Sequence, residues 1–121
     1  MSEFELFGLR YRTPPPTVEI LFSGEPVGEL TKEGRLFTFT YLPAFAASKL
    51  APIPGFPDIG KQYKSIRLWP FFAQRIPDKK RPEIERFMKD HDLVDASELK
   101  LLTALGVRSV TDPFELRQKA A

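Results

Sequence analysis

Short apolar segments that alternate with polar residues dominate the chain between residues 18 and 42. The candidate strands read VEILF, VGEL and LFTFTYL, and turn-forming residues separate them. In the third segment Phe37, Phe39 and Tyr41 fall on one face and two threonines on the other, which is the period of two that a half-buried strand shows. The pattern predicts a three-stranded antiparallel meander whose apolar face must be covered by other elements.

Helical spacing takes over in the second half of the chain. Pro82 suits the first turn of a helix, and the residues that follow it at spacings of three and four are Ile84, Phe87, Met88 and His91. This spacing predicts an amphipathic helix. Asp95 and Glu98 have the spacing of a capping box, so we expect Asp95 to be the N-cap of a leucine-rich helix that ends at Gly106.

The remaining segments complete the predicted fold. The proline-rich stretch Leu50–Gly60 can form neither a central strand nor a continuous helix, whereas Lys61–Leu68 is compatible with one more strand. Asp112 and Pro113 are expected to begin a last short helix, FELRQKA. The prediction is an α+β fold in which helices cover a small antiparallel β-sheet.

Residues 1–17 are predicted to be an N-terminal extension, ahead of a single domain at residues 18–121. The prolines at 14–16 favour an extended polyproline conformation. The apolar residues ahead of them are Phe4, Leu6, Phe7, Leu9 and Tyr11. These side chains either add a strand to the domain or dock on another chain, and the first alternative is favoured by the alternation around Phe4 and Leu6.

Composition narrows the possible functions of the 121 residues. The chain has no cysteine, which excludes disulfides, thiol catalysis and cysteine-ligated metals. Its 18 basic and 16 acidic residues give a net charge of only +2, so any binding to polyanions must be local. Neither a secretory signal nor a membrane-spanning apolar run is found, and we expect a cytoplasmic protein that does not enter membranes.

Catalytic chemistry has no signature in the sequence. The single histidine, His91, is expected at the end of a helix as a surface or capping residue. Gly24 and Gly28 lie in a predicted hairpin and are not followed by the lysine and hydroxyl residue of a phosphate-binding loop. The sequence therefore predicts no catalytic residue, no metal site and no cofactor.

One segment, residues 61–81, combines basic and aromatic residues. It holds seven lysines and arginines against one acid, Asp78. The candidate partner-binding residues in it are Arg67, Trp69, Pro70, Phe71, Phe72, Arg75, Lys79, Lys80 and Arg81. Such a segment can bind a protein or a nucleic acid. It can also belong to the core, which is favoured for Phe71 and Phe72, whereas Trp69 is expected at an exposed corner before a helix-starting proline.

Five short motifs occur in a recognisable order. They are Gly24, Val27-Gly28-Glu29-Leu30, Phe39-Thr40-Tyr41, Pro70-Phe71-Phe72 with Ile76-Pro77, and Leu101-Leu102-Thr103-Ala104-Leu105-Gly106. Over about residues 18–106 this succession resembles the N-terminal subdomain of HipA-like toxin kinases. Two segments depart from the family pattern. Its acidic residue and glycine after Leu-Pro are replaced by Asp78-Lys79, and its glycine-rich segment after Gly106 is replaced by VRSVTDPFEL.

The resemblance implies a function without catalysis, because the kinase machinery lies outside this subdomain in the family. It implies the stand-alone subdomain of tripartite HipBST systems, in which a HipS protein neutralises the kinase HipT and the helix-turn-helix protein HipB binds DNA. The expected partners are thus a HipT-like kinase and, as a candidate third component, a HipB-like protein, without direct nucleic-acid binding by this chain.

In this interpretation Trp69 enters the active-site cleft of the kinase or a groove beside it, as part of the Trp-Pro-Phe-Phe region. The exposed cations, Arg67, Arg75 and residues 79–81, would then pair with acidic residues of the kinase. Two alternatives stay open: a structural subunit that binds the kinase without inhibiting it, and an accessory protein that binds RNA or DNA.

Overall fold

A computed structural model describes residues 16–109 and 112–119, so the predictions made for residues 1–15 lie outside the described part and the domain boundary at residue 18 stays a prediction. The strands are β1 (Val18–Phe22), β2 (Glu25–Glu33), β3 (Leu36–Tyr41), β4 (Gln62–Ser65) and β5 (Glu115–Gln118). The helices are α1 (Pro43–Ser48), α2 (Pro70–Ala73), α3 (Pro82–Asp90) and α4 (Glu98–Leu105). The protein is an α+β fold, as predicted.

The five strands form one antiparallel sheet in the order β4-β3-β2-β1-β5. The predicted meander is confirmed as β1 to β3, and the predicted fourth strand is shorter than the segment proposed for it. At the β1–β2 turn, Ser23 and Gly24 both have positive φ angles, 51° and 81°. Positive φ at both central residues gives a hairpin turn whose twist matches that of the strands.

One face of the sheet carries the core. Phe37, Phe39 and Tyr41 of β3 are buried on this face, as the alternation predicted. The ring of Phe39 is the centre of an aromatic cluster, with centroids 4.4 Å from Phe56 and 5.7 Å from Phe72. Helices α1, α2 and α4 contribute side chains to the same cluster and so cover the sheet.

The proline-rich loop between α1 and β4 is part of this core although it has no regular structure, as predicted. Ile53 and Phe56 in the loop are buried. The hydroxyl of Tyr41 donates a hydrogen bond to the carbonyl of Phe56 at 2.7 Å and accepts one from the amide of Ile53 at 2.9 Å. These two bonds connect the loop to the sheet and satisfy backbone groups that are out of reach of a strand or helix.

Helices α3 and α4 enclose a second, smaller apolar cluster that contains Met88, Leu93 and Leu101. The prediction of α3 is confirmed, and His91 is an exposed residue at its end whose Nδ1 lies 2.9 Å from the carbonyl oxygen of Phe87.

The N-cap predicted for α4 is wrong. Ser97, not Asp95, precedes the first helical residue, and its hydroxyl accepts a hydrogen bond from the amide of Lys100 at 3.2 Å. A cap must reach the amide of the second or third helical residue, which Asp95 cannot do from the exposed turn it occupies. Gly106 closes the helix as expected.

The predicted C-terminal helix is also wrong, because residues 115–118 form strand β5. Leu116 is fully buried and lies opposite Ile20 of β1, while its neighbour Arg117 points away and pairs with Glu19 at 3.0 Å. Pairing with the open edge of β1 satisfies the backbone of this segment and buries its leucine. These long-range contacts override the local helix signals.

Candidate partner-binding surface

Trp69 lies at the corner where the chain turns from β4 into α2. It is the N-cap residue, with φ −64° and ψ 148°, and Pro70 is the first residue of the helix. The carbonyl oxygen of Trp69 accepts hydrogen bonds from the amides of Phe72 and Ala73, each at 2.9 Å. Since proline fixes its own φ and restricts the preceding residue to extended conformations, the backbone at Trp69 is well defined.

The indole of Trp69 is half-buried. Its ring centroid lies 5.0 Å from that of Phe56 in an edge-on arrangement of 68°. One side of the indole therefore packs on the core, which fixes its orientation, and Trp69 keeps a part of its surface accessible to solvent. The exposed corner predicted from the sequence is thus a partly exposed one.

Phe71 and Phe72 belong to the core, the placement that the sequence favoured for them. Phe72 has no exposed surface, and Phe71 retains 8%. Their rings meet edge-on at 5.2 Å, and Phe71 reaches Phe114 at 6.1 Å. Because the two rings fix α2 against the sheet and the C-terminal strand, they support the corner from inside and do not present a surface to a partner.

Arg75 is not the exposed cation that the sequence suggested. Its side chain is 0% exposed and forms an ion pair with Asp112, whose side chain is 11% exposed. The guanidinium also donates to the carbonyl of Gly106 at 3.1 Å and to that of Phe114 at 3.2 Å. Burial lowers the pKa of Arg75, and Asp112 opposes that shift. With its donors directed inward, Arg75 joins α2 to the segment that leads into β5.

The other predicted cations are exposed. Lys79, Lys80 and Arg81 lie in the loop before α3. Asp78 orders this loop, because its carboxylate accepts a hydrogen bond from the amide of Lys80 at 2.9 Å. Arg81 pairs with Glu83 at 2.8 Å, but both side chains are about 60% exposed, so this pair contributes little to stability. The loop is therefore an accessible basic surface.

One exposed residue of this region was missed by the sequence reasoning. Ile66 is 73% exposed in the bend between β4 and α2. Alternation along β4 could have identified it, because Tyr63 lies on the core side of the sheet opposite Phe39, which puts Lys64 and then Ile66 on the solvent side. An isoleucine at a position where the pattern calls for a polar residue is the relevant signal.

Ile66, Arg67 and Pro70 are exposed and Trp69 is half-buried. These four residues, which lie close together in the sequence, are referred to below as the Trp69 surface. Within the described ranges 16–109 and 112–119, no three acidic or histidine side chains are grouped so that they could hold a metal ion. In the same ranges, no helix combines the length and the apolar character needed to cross a membrane.

Two comparisons connect the chain to known proteins. A family model described as the HipA N-terminal domain matches residues 18–110. A solved structure described as the N-terminal domain of HipA toxin superimposes with a TM-score of 0.51 at 22% sequence identity, over 91% of this chain and 98% of the other. This second likeness concerns the fold. No curated protein matches the sequence. Together the two matches, which cover most of a small chain, fit a HipS-like protein.

Proposed function

The chain belongs to the HipA N-terminal domain family, and from this premise we propose that it is an antitoxin that binds and neutralises a HipA-like kinase of the HipT type. The N-terminal subdomain is a non-catalytic part of the kinases in this family. A separate chain that carries the same fold is suited to occupy the place of that subdomain on a kinase, and we propose that it does so without enzymatic activity of its own.

The observation that carries the proposal is the half-buried Trp69, fixed at the N-terminus of α2 with part of its indole exposed. Tryptophan is one of the residue types enriched among binding hot spots, since it brings a large apolar surface at a small cost in side-chain entropy. The orientation of Trp69 is set by Pro70 and by Phe56 before any partner arrives. Such preorganisation lowers the entropic cost of association.

Charge supports a kinase cleft as the binding site. Arg67, Lys79 and Lys80 are exposed on or near α2, and none of them forms an ion pair with another described residue. The catalytic centre of a kinase is rich in carboxylates that hold magnesium. Exposed cations beside an apolar anchor would steer the chain to such a centre and add charge-assisted hydrogen bonds. Arg75 has no part in this, because its donors are used inside the domain.

Binding of nucleic acid is less well supported. A single-strand platform needs several exposed aromatic rings on which bases stack. Of the aromatic residues in α2 and at its N-cap, Phe71 and Phe72 are buried, and Trp69 alone is partly exposed. Over the whole basic and aromatic segment, residues 61–81, two rings are partly exposed, Tyr63 and Trp69, where its sequence contains four. A structural subunit that binds the kinase without inhibiting it is the alternative that the experiment below must separate from an antitoxin.

The test is co-expression of the kinase with wild-type protein or with Trp69→Ala, scored by bacterial growth and by co-purification. We expect wild type to restore growth and Trp69→Ala to fail. Loss of a hot-spot tryptophan raises Kd by about 30- to 1000-fold, equivalent to roughly 2–4 kcal/mol. His91→Ala, which removes an exposed ring at the C-cap of α3, is the control and should behave as wild type.

The outcomes separate the alternatives. Co-purification of wild type without restored growth would identify a structural subunit. Restored growth by Trp69→Ala at wild-type level would refute the role of the tryptophan. If wild type binds no kinase but binds RNA or DNA with an affinity that falls steeply between low and high salt, the accessory-protein reading replaces the proposal. A HipB-like protein as a third component is tested by adding it to the co-purification.

A further inference from the structure

We propose that Ile66 is a second apolar anchor of the Trp69 surface, and that Ile66 and Trp69 enter one apolar cleft of the kinase whose rim carries carboxylates. This inference rests on the proposed function, because it assigns a further contact to the same partner. The inference adds a residue that is neither basic nor aromatic, so the search for basic and aromatic residues did not select it.

The first support is the exposure of Ile66 together with its position. Of the three large apolar side chains that are exposed in the described residues, Ile66 is the most exposed at 73%, against 59% for Val94 and 43% for Ile59. Single exposed apolar residues are common and need no function. Ile66 differs because it is three residues from Trp69, which limits the distance between their Cα atoms to about 11 Å. A single cleft on a partner can span that distance.

The second support is that the bend carrying Ile66 is held on its C-terminal side. The amide of Arg67 donates a hydrogen bond to the hydroxyl of Ser65 at 3.1 Å, and Leu68 is buried in the main core with 8% exposure. Leu68 is therefore the residue of this bend that packs in the core. Ile66 is left to project from a fixed backbone, which reduces the entropy lost when a partner covers it.

The third support is the charge around the two apolar side chains. From Gly60 to Pro77 the sequence contains no acidic residue. Lys64 and Arg67 flank Ile66, are exposed, and form no ion pair with any other described residue. An apolar pair with unpaired cations on its flanks complements an apolar cleft with an acidic rim, and it is repelled by a basic or polycationic surface. This complementarity defines the chemistry of the occupant.

Access from outside is also open. Ile66 directly follows β4, which is an edge strand of the sheet with a described neighbour, β3, on one side alone. A partner can approach the bend and α2 along this edge without displacing any element that the structure describes. Ile66 after β4 and Pro70 at the start of α2 are both exposed, so both ends of this segment can be reached from outside.

The experiment measures the Kd of the purified kinase for wild type and for Ile66→Ser, Trp69→Ala and Val94→Ser. Val94→Ser is the matched control, since it removes another exposed β-branched side chain, from the loop between α3 and α4. We expect Ile66→Ser to raise Kd about ten- to a hundredfold, as burial of an isoleucine predicts, and Val94→Ser to change it less than twofold. Thermal unfolding of both serine variants should match wild type, because both side chains are exposed.

The double variant Ile66→Ser with Trp69→Ala tests whether one cleft receives both side chains. Neighbouring contacts in a shared pocket are not additive, so we expect the double variant to raise Kd by less than the product of the two single effects. Effects that multiply would overturn the single cleft. Equal Kd values for Ile66→Ser and Val94→Ser, with weakened binding by Trp69→Ala, would overturn this inference and leave the proposed function intact. No binding by wild type would overturn both.

Discussion

Replacement of Arg75 by methionine tests whether the buried ion pair holds the C-terminal strand against the domain. Methionine keeps an unbranched apolar stem, although it is shorter than arginine, and it removes every donor. The Asp112 side chain, 11% exposed, would lose its cation, and the carbonyls of Gly106 and Phe114 would lose a charged donor. Asp112 would keep the hydrogen bond that it accepts from the amide of Phe114 at 2.9 Å, but a largely buried carboxylate without a counter-ion strongly destabilises a domain.

The magnitude follows from the geometry of the pair. Removal of one partner from a buried ion pair costs about 3–5 kcal/mol. Two polar atoms of this pair, Nε of Arg75 and Oδ2 of Asp112, have no hydrogen-bond partner among the described residues, so the native arrangement is not fully satisfied. We therefore expect the lower end of the range, about 3 kcal/mol. For a domain of this size that loss lowers Tm by about 12 °C or more.

The assay is urea unfolding at neutral pH combined with thermal unfolding, on wild type and three variants. Arg81→Met is the matched control, because it breaks the exposed pair with Glu83 and should cost less than about 0.5 kcal/mol. The double variant Arg75→Met with Asp112→Leu removes both charges of the buried pair. It should recover much of the stability lost by the single variant, since an apolar replacement leaves no unpaired charge.

Two results would contradict this reasoning. If Arg75→Met is no less stable than Arg81→Met, the burial of the pair does not matter and the guanidinium does not hold the C-terminal segment. If the double variant is as unstable as Arg75→Met, the unpaired carboxylate of Asp112 is not the cause of the loss, and the hydrogen bonds to the two carbonyls would have to account for it.

Two further predictions concern single hydrogen-bonding side chains. Ser97→Ala should lower the free energy of unfolding by about 1 kcal/mol, because it removes the cap of α4. Asp95→Ala, at the exposed position two residues earlier, should leave the free energy of unfolding unchanged. Equal losses for the two variants in urea unfolding would contradict the cap assignment. Tyr41→Phe should cost about 1–3 kcal/mol at pH 8, because it leaves the buried amide of Ile53 and carbonyl of Phe56 unpaired. Burial also raises the pKa of Tyr41 above its usual value of 10.0, because it disfavours the phenolate. The protonated hydroxyl therefore contributes stability that is fully present below pH 10 and is lost as the pH rises through the folded-state pKa. The difference between wild type and Tyr41→Phe should therefore shrink between pH 8 and pH 11, and a constant difference would contradict the raised pKa.

The parts of the fold that the sequence predicted correctly are those with local signals. The alternation of Phe37, Phe39 and Tyr41 is contained in one strand, and the spacing after Pro82 is contained in one helix. In each case the burial of a residue depends on neighbours within a few positions, so the period of the pattern is sufficient.

The C-terminal strand shows why local signals fail elsewhere. Asp112 and Pro113 are typical of a helix start, and the segment after them contains good helix formers. Its conformation is decided by β1, since Arg117 of β5 pairs with Glu19, 98 residues earlier in the chain. No window of sequence contains that contact. The same holds for Arg75, whose ion-pair partner Asp112 is 37 residues away and could not be assigned to it from the sequence.

The composition of the site was predicted better than the roles of its residues. Trp69 and Arg67 are on the surface, at least in part, as predicted, and Phe71 and Phe72 lie in the core, the placement that was favoured for them. Arg75, in contrast, was expected among the exposed cations and is buried. The structure divides the residues of this segment, because Phe71, Phe72 and Arg75 face inward. Composition gives the number of basic and aromatic groups in a segment, whereas the geometry of a short helix decides which of them a partner can reach.

This division separates binding from stability within one segment. Ile66, Arg67 and Pro70 are exposed, so under the proposed function their substitution should weaken binding to the partner and leave the domain stable. Phe72 and Arg75 are buried, so their substitution should lower the free energy of unfolding by removing the contacts that hold α2 in place. If a substitution weakens binding only in proportion to the fraction of unfolded protein, the residue affects binding through the stability of the domain. A substitution in the Trp69 surface must instead change Kd while the free energy of unfolding stays constant. Measured together, Kd and the free energy of unfolding therefore assign each residue from 66 to 75 to one of the two roles, independently of how many of them are basic or aromatic.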